Sequence, residues 1–172
     1  IPKRDWSSDV CSSDLLCATS DERVDKVYGL TRLASFPWPF DAAKRTVLSA
    51  SLDRSVNRFT APDGGARVFF TCEDSGYEKL YSVSFAGGDV REEKSVSSGC
   101  FTGLGSGGSA LVANWESATN PPEVFALGTD GAAPKRLTSF NVEKIKSLDL
   151  ASLEHFTFKS SRGKDKIGRA HV

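Results

Sequence analysis

The sequence is poor in several things that would have named a function. It has no methionine in 172 residues, only two histidines and four cysteines, and its 22 Lys and Arg are balanced by 22 Asp and Glu. A neutral chain lacks the clustered positive excess that a nucleic-acid surface needs. No apolar run approaches the ~20 residues of a membrane-spanning helix. The cysteines show no C-x-x-C, so neither a zinc site nor a thioredoxin-type pair is suggested by spacing. There is no G-x-S-x-G elbow and no phosphate-binding G-x-x-x-x-G-K-[ST]. The missing methionine predicts that the chain's own start lies upstream of residue 1.

Both ends read as foreign to the rest. Ser8 to Asp14 is Ser-Asp-Val-Cys-Ser-Ser-Asp, which TCA GAC GTG TGC TCT TCC GAT encodes. The reverse complement of that string translates as Ile-Gly-Arg-Ala-His-Val followed by a stop, which matches Ile167 to Val172. Reverse complements at opposite ends predict one DNA adapter read through on both sides. Residues 1–15 and 167–172 are therefore expected to be non-native and are set aside before fold reasoning. They carry Lys3, Arg4 and Arg169 against Asp5, Asp9 and Asp14, so the remainder stays neutral. Three cysteines (Cys17, Cys72, Cys100) and one histidine, His155, are left.

The interior is rich in strand signals. Val68–Cys72, Leu80–Phe85, Leu111–Trp115 and Val124–Leu127 are short apolar, β-branched or aromatic runs. Gly87-Gly88 and Asp130-Gly131 close two of them, as antiparallel strands joined by tight turns require. Helical spacing is confined to a turn or two in Val142–Leu150. The first pair of runs recurs in the second. Val68-Phe69-Phe70 matches Leu111-Val112-Ala113 at an offset of 43, and Leu80-Tyr81 matches Val124-Phe125 at an offset of 44. A period of about 40–45 residues with several strands per unit is the spacing of β-propeller blades. With a degenerate unit over Asp25 to Ser55, the expected fold is all-β: a partial β-propeller of about three four-stranded antiparallel blades. Because propellers use about 4–8 blades, this is an arc.

Reactive constellations are few, and each has a plainer reading. A Ser-His-Asp hydrolase needs an oriented imidazole base, and His155 has no partner suggested by spacing, which favours a solvent-facing strand histidine. Gly103-Leu-Gly-Ser-Gly-Gly108 matches G-x-G-x-x-G, but a strand rather than a helix follows it, so a flexible inter-strand loop is expected instead of a pyrophosphate site. Cys72 and Cys100 read as small core hydrophobes or as a disulfide pair. Ser117 to Pro122 reads as a rigid hairpin tip with cis-capable bonds before Pro121 and Pro122. Asp53-Arg54-Ser55 reads as a local pair across a turn. No catalytic, cofactor-binding or metal-ligating residue is singled out, and no cofactor is expected.

The order of short motifs carries a resemblance. Leu52-Asp-Arg-Ser-Val56 precedes Pro62-Asp63-Gly64, and Glu73-Asp74-x-Gly76 precedes Lys79-Leu-Tyr81. Ser117 to Phe125, then Arg136-Leu-Thr-Ser-Phe-Asn141, and finally Leu153 to Gly163 complete it. This series resembles the last propeller blades of the prolyl oligopeptidase family of serine peptidases, in its acylaminoacyl-peptidase and dipeptidyl-peptidase V-like branch. The resemblance implies a partial propeller over residues 16–151. It also implies the start of an α/β-hydrolase domain over residues 152–166, with Phe156 and Phe158 on that domain's first strand. The parent would cleave short peptides through an acyl-enzyme, and the propeller would exclude folded proteins by size. Its nucleophile, acid and base would lie downstream, so this stretch would itself be inactive. Its partners would be the parent's peptide substrates and the missing hydrolase domain, with neither nucleic acid nor membrane. The alternative expectation is a non-enzymatic, TolB-like propeller scaffold.

Overall fold

The computed structural model describes residues 15–20, 29–93, 99–128 and 132–171. The described residues form three antiparallel sheets in chain order, a short helix and a two-stranded hairpin. The first sheet joins β1 (Leu15–Ser20), β2 (Thr31–Phe36) and β3 (Thr46–Val47). The second is a four-stranded meander of β4 (Val56–Thr60), β5 (Arg67–Asp74), β6 (Tyr77–Ser84) and β7 (Arg91–Glu92). The third repeats it with β8 (Cys100–Gly107), β9 (Ala110–Ser117), β10 (Asn120–Leu127) and β11 (Lys135–Arg136). Then come α1 (Val142–Ile145) and the hairpin of β12 (Leu153–Lys159) with β13 (Asp165–His171). The step from residue 166 to 167 falls inside β13.

Two of the blades have the expected four strands, and the first has three. Among the described residues, β2 supplies the fully buried Leu33 and Ala34. The strand β1 begins before the degenerate stretch read as the first unit.

Burial explains why β5 is so easily read. Val68, Phe70, Cys72, Tyr81 and Val83 pack with Leu33, Leu48 and Val56 in a core between the first and second sheets. Phe69 and Leu80 point the other way, into a second core with Phe101, Leu111, Ala113 and Leu127 of the third sheet. Side chains alternate faces along a strand, so a strand buried on both sides must be apolar at successive positions. Hence Val68-Phe-Phe-Thr-Cys72 does not alternate. On β9, by contrast, Leu111 and Ala113 are buried while Val112 is half-buried and Asn114 is exposed, the pattern of a strand covered on one face.

The repeat offsets have a structural cause. Strands β5 and β9 start and end 43 residues apart. Strand β10 carries an irregularity between Asn120 and Glu123, after which its pairing with β9 runs regularly from Glu123 opposite Trp115 to Leu127 opposite Leu111. One extra residue at that bulge changes the offset from 43 to 44. It is also the place in a strand where Pro121 and Pro122, which have no N–H to donate, are tolerated.

The outermost strands β3, β7 and β11 are two residues long, and β7 and β11 consist of Arg, Glu, Lys and Arg. Short charged edges discourage pairing with other chains. Polar seams join the blades. Thr31 N–H donates to Ser55 Oγ at 3.1 Å. Thr60 and Ser106 hydroxyls meet at 2.7 Å, Ser106 Oγ donates to Ala61 O at 3.0 Å, and Asp63 N–H donates to Gly108 O at 2.8 Å.

The glycine-rich stretch corrects one expectation. Gly103 to Gly107 is not a flexible loop but the second half of β8, in register with β9 from Asn114 to Ala110; only Gly108 and Ser109 turn. At Gly103 a Cβ would lie 3.0 Å from the exposed Asn114 amide, a tight contact that this side chain would have to shift to relieve. Cys72 and Cys100 are free thiols, so the disulfide alternative is withdrawn. Cys72 is fully buried, and that burial pushes its thiol up to about 12. The peptide bonds before Pro121 and Pro122 are trans; among the described residues the cis bond is Trp38–Pro39. The Asp130-Gly131 turn lies outside the described residues.

Candidate functional site

A cleft lies where the β5–β6 and β9–β10 turns meet the β12–β13 hairpin. It holds about 270 Å³ and is lined by Tyr77, Cys100, Glu116, Thr119, Leu153 and Arg169 among others. The β5–β6 turn that forms one wall has Ser75 at φ 55° and Gly76 at φ 80°. A side chain at residue 76 would be strained there, and its Cβ would sit 2.9 Å from the Arg169 guanidinium. Arg169, which falls in the stretch 167–172 read above as non-native, donates to Gly76 O at 2.6 Å. His155 does have a partner, one that sequence spacing could not reveal. Its ring stacks on Tyr77 with centroids 4.6 Å apart, and the Tyr77 hydroxyl bonds Nε2. The two residues are 78 positions apart, and His155 remains exposed as expected.

The cleft's hydroxyls are occupied in shaping its other wall. Ser117 Oγ accepts from Thr119 N at 3.4 Å and from Asn120 Nδ2 at 3.2 Å, and Asn120 Nδ2 also reaches Thr119 Oγ1 at 3.2 Å. The turn itself is only Ala118–Thr119: Ser117 ends β9 and Asn120 to Pro122 open β10, so the hairpin tip is shorter than the Ser117 to Pro122 stretch read from the sequence. What the cleft offers is a mixed surface of polar and apolar groups. The hydroxyl paired with an imidazole there is the Tyr77 phenol; among the described residues no serine or threonine hydroxyl of the cleft is so paired, the arrangement acyl transfer would need. Among the described residues, no group of three or more His, Cys, Asp or Glu side chains converges in a way that could hold a metal ion.

At the same end of the second blade, one carboxylate gathers four donors. Asp74 Oδ2 accepts from Lys79 Nζ at 2.8 Å and the Tyr81 hydroxyl at 3.2 Å; Oδ1 accepts from Ser75 Oγ at 3.0 Å and Arg54 Nη2 at 3.3 Å. The Lys79 bond is the largest cause holding the Asp74 carboxyl at about 2, against the desolvation that opposes it. Lys79 is raised in return, chiefly by Asp74 and also by Glu92 at 3.6 Å. Burial and the neighbouring carboxylates push the Tyr81 phenol well above its ordinary value. Arg54 also lies 3.7 Å from Asp53, so the local pair expected from the sequence exists beside a longer-range bond to Asp74. The motif from Glu73 to Tyr81 is thereby explained: Asp74, Gly76, Lys79 and Tyr81 are the parts of one turn and its brace.

Comparison with known proteins places this architecture. The chain has the blade fold of peptidase propellers. It is similar to the acylaminoacyl peptidase of Pyrococcus horikoshii, with TM-score 0.73 and 22% identity over 91% of this chain and 23% of that one. It is similar also to the propeller domain of the trilobed protease from Pyrococcus furiosus (TM-score 0.58, 21% identity), covering 75% of this chain and 36% of that one. An AtxE2 isopeptidase matches with TM-score 0.68 and 13% identity over 91% of this chain and 24% of that one. At these identities the likeness is one of fold, and the chain spans about a quarter of the acylaminoacyl peptidase and the isopeptidase it matches. No protein-family model matches the sequence, and no curated protein does.

Proposed function

We propose that the chain is part of the propeller of a serine peptidase of the prolyl oligopeptidase type, in the acylaminoacyl-peptidase and dipeptidyl-peptidase V-like branch. The observation that carries this reading is the reach of the structural likeness. It covers 91% of the chain against the acylaminoacyl peptidase and 75% against an isolated propeller domain. A second support is the hairpin. Phe156 and Phe158 sit 6.1 Å apart on β12 and are each 48% exposed. A two-stranded sheet has no core of its own, so these rings fit the first strand of a domain whose remainder covers them. In this reading residues 16–151 belong to the propeller and residues 152–166 open the α/β-hydrolase domain. The nucleophile, base and acid belong to that second domain, and the propeller restricts access to short peptides. The stretch in hand then performs no chemistry itself. A TolB-like scaffold would share the blades but would give the exposed ring pair of β12 nothing to pack against.

The test is biochemical. The product of the intact gene should turn over acyl-peptide p-nitroanilides and react with a fluorophosphonate serine probe, and the 172-residue chain should do neither. Folded protein substrates should survive both. An intact gene product that is inert to the probe, yet binds a ligand through its blades, would replace this reading with the scaffold.

A further inference from the structure

Two sequence motifs that lie far apart along the chain meet at one buried carboxylate. Glu123, at the bulge of β10, is 3% exposed. Its Oε1 accepts the Asn141 N–H at 2.7 Å, its Oε2 accepts the Phe140 N–H at 3.2 Å, and the Thr138 hydroxyl donates to the same Oε2. Thr138 Oγ1 in turn accepts the Val124 N–H at 2.9 Å. Asn141 Nδ2 donates to Pro122 O at 3.0 Å, closing the ring of bonds. Ser117-to-Phe125 and Arg136-to-Asn141 are thus two halves of one structure.

We propose that Glu123 is a clasp that locks the strap Leu137–Asn141 across the bulge of β10 and so fixes the direction in which the chain leaves the third sheet. The strap has no other strong hold. Its last ladder bond is Leu137 N–H to Val124 O at 2.8 Å, beyond the end of β11. Its apolar side chains do not anchor it, since Leu137 is 52% and Phe140 78% exposed. Main-chain N–H groups without a strand partner need an acceptor, and an ionised carboxylate accepting several donors is about twice as strong a partner as a neutral one. The bulge sets up this geometry. The register shift between Asn120 and Glu123 leaves Pro122 without a partner residue on β9, and its carbonyl accepts from Asn141 Nδ2. These donors also hold the carboxyl below its ordinary range.

The test is amide hydrogen exchange on the 172-residue chain, comparing it with Glu123→Gln and Thr138→Val. In the parent chain the Phe140 and Asn141 amides should be protected despite the exposed Phe140 ring. Glu123→Gln, which keeps the size but loses the charge and turns an NH₂ toward two donors, should speed exchange of both ~10–100-fold. Thr138→Val should expose the Val124 amide as well. Amides of β5 and β6 should be unchanged in both variants. Exchange at Phe140 and Asn141 within about two-fold of the parent would overturn the proposal. Loss of protection that spreads through β5 and β6 in both variants would overturn it too, because Glu123 would then hold the fold as a whole and not the strap.

Discussion

Asp74 shows how much one side chain can organise at the end of a blade, and its charge gives that arrangement a pH signature. A carboxyl held at about 2 in the fold and near its ordinary value when unfolded stabilises the fold above pH ~4 and loses that contribution as pH falls toward 2. The side chain is 17% exposed, so screening removes little of the effect, which amounts to about 2 kcal/mol. Urea unfolding of the parent and Asp74→Asn should therefore differ by about that much at pH 6 and converge toward pH 2. A difference that stays constant with pH would mean that Asp74 acts through shape alone. Little of this was legible beforehand. In the sequence Asp74, Gly76, Lys79 and Tyr81 are only a string within the motif series, and the bond from Arg54 crosses 20 positions and leaves no local trace. The same holds for Tyr77 with His155 and for Glu123 with Asn141.

At the scale of strands, the sequence pattern and the packing say the same thing wherever burial is strong. Strand β5 was readable because both faces are covered, and β9 because one face is. The repeat offset even carried the bulge in β10, as a change of one residue. The stretch Gly103 to Gly107 was misread because glycine is usually a turn signal. Here Gly103 lies close against Asn114, while Gly105 and Gly107 have open space where a side chain would be and pair with β9 as ordinary strand residues. The first sheet is the hardest to read, since β3 is only two residues long and β1 lies before the stretch Asp25 to Ser55 read as the first unit. The two-sided packing of β5 sets a contrast that mutation can read. Phe70→Ala, fully buried in the first core and stacked on Tyr81 with centroids 5.9 Å apart, should cost ~3–5 kcal/mol. Val112→Ala, half-buried on the other face of β9, should cost under about 1 kcal/mol. Equal losses would contradict the assignment of faces and place a further covering layer over the third sheet.

For the molecule as a whole, three sheets in sequence make an arc in which each neighbour supplies half of a core. The middle sheet is covered on both sides by the other two, which is how repeat units that cannot bury their faces alone become stable. The cleft brings the β5–β6 and β9–β10 turns against β12 and β13, and the clasped strap leads from the third sheet toward α1 and β12.

The central claim is that these blades lead into a catalytic domain. Reading the genomic locus across residues 16–166 tests it most directly. The expected result is different coding sequence on both sides of that span, with a G-x-S-x-G elbow downstream followed by Asp and then His. A stop codon just after residue 166, or further blades in place of the elbow, would contradict it.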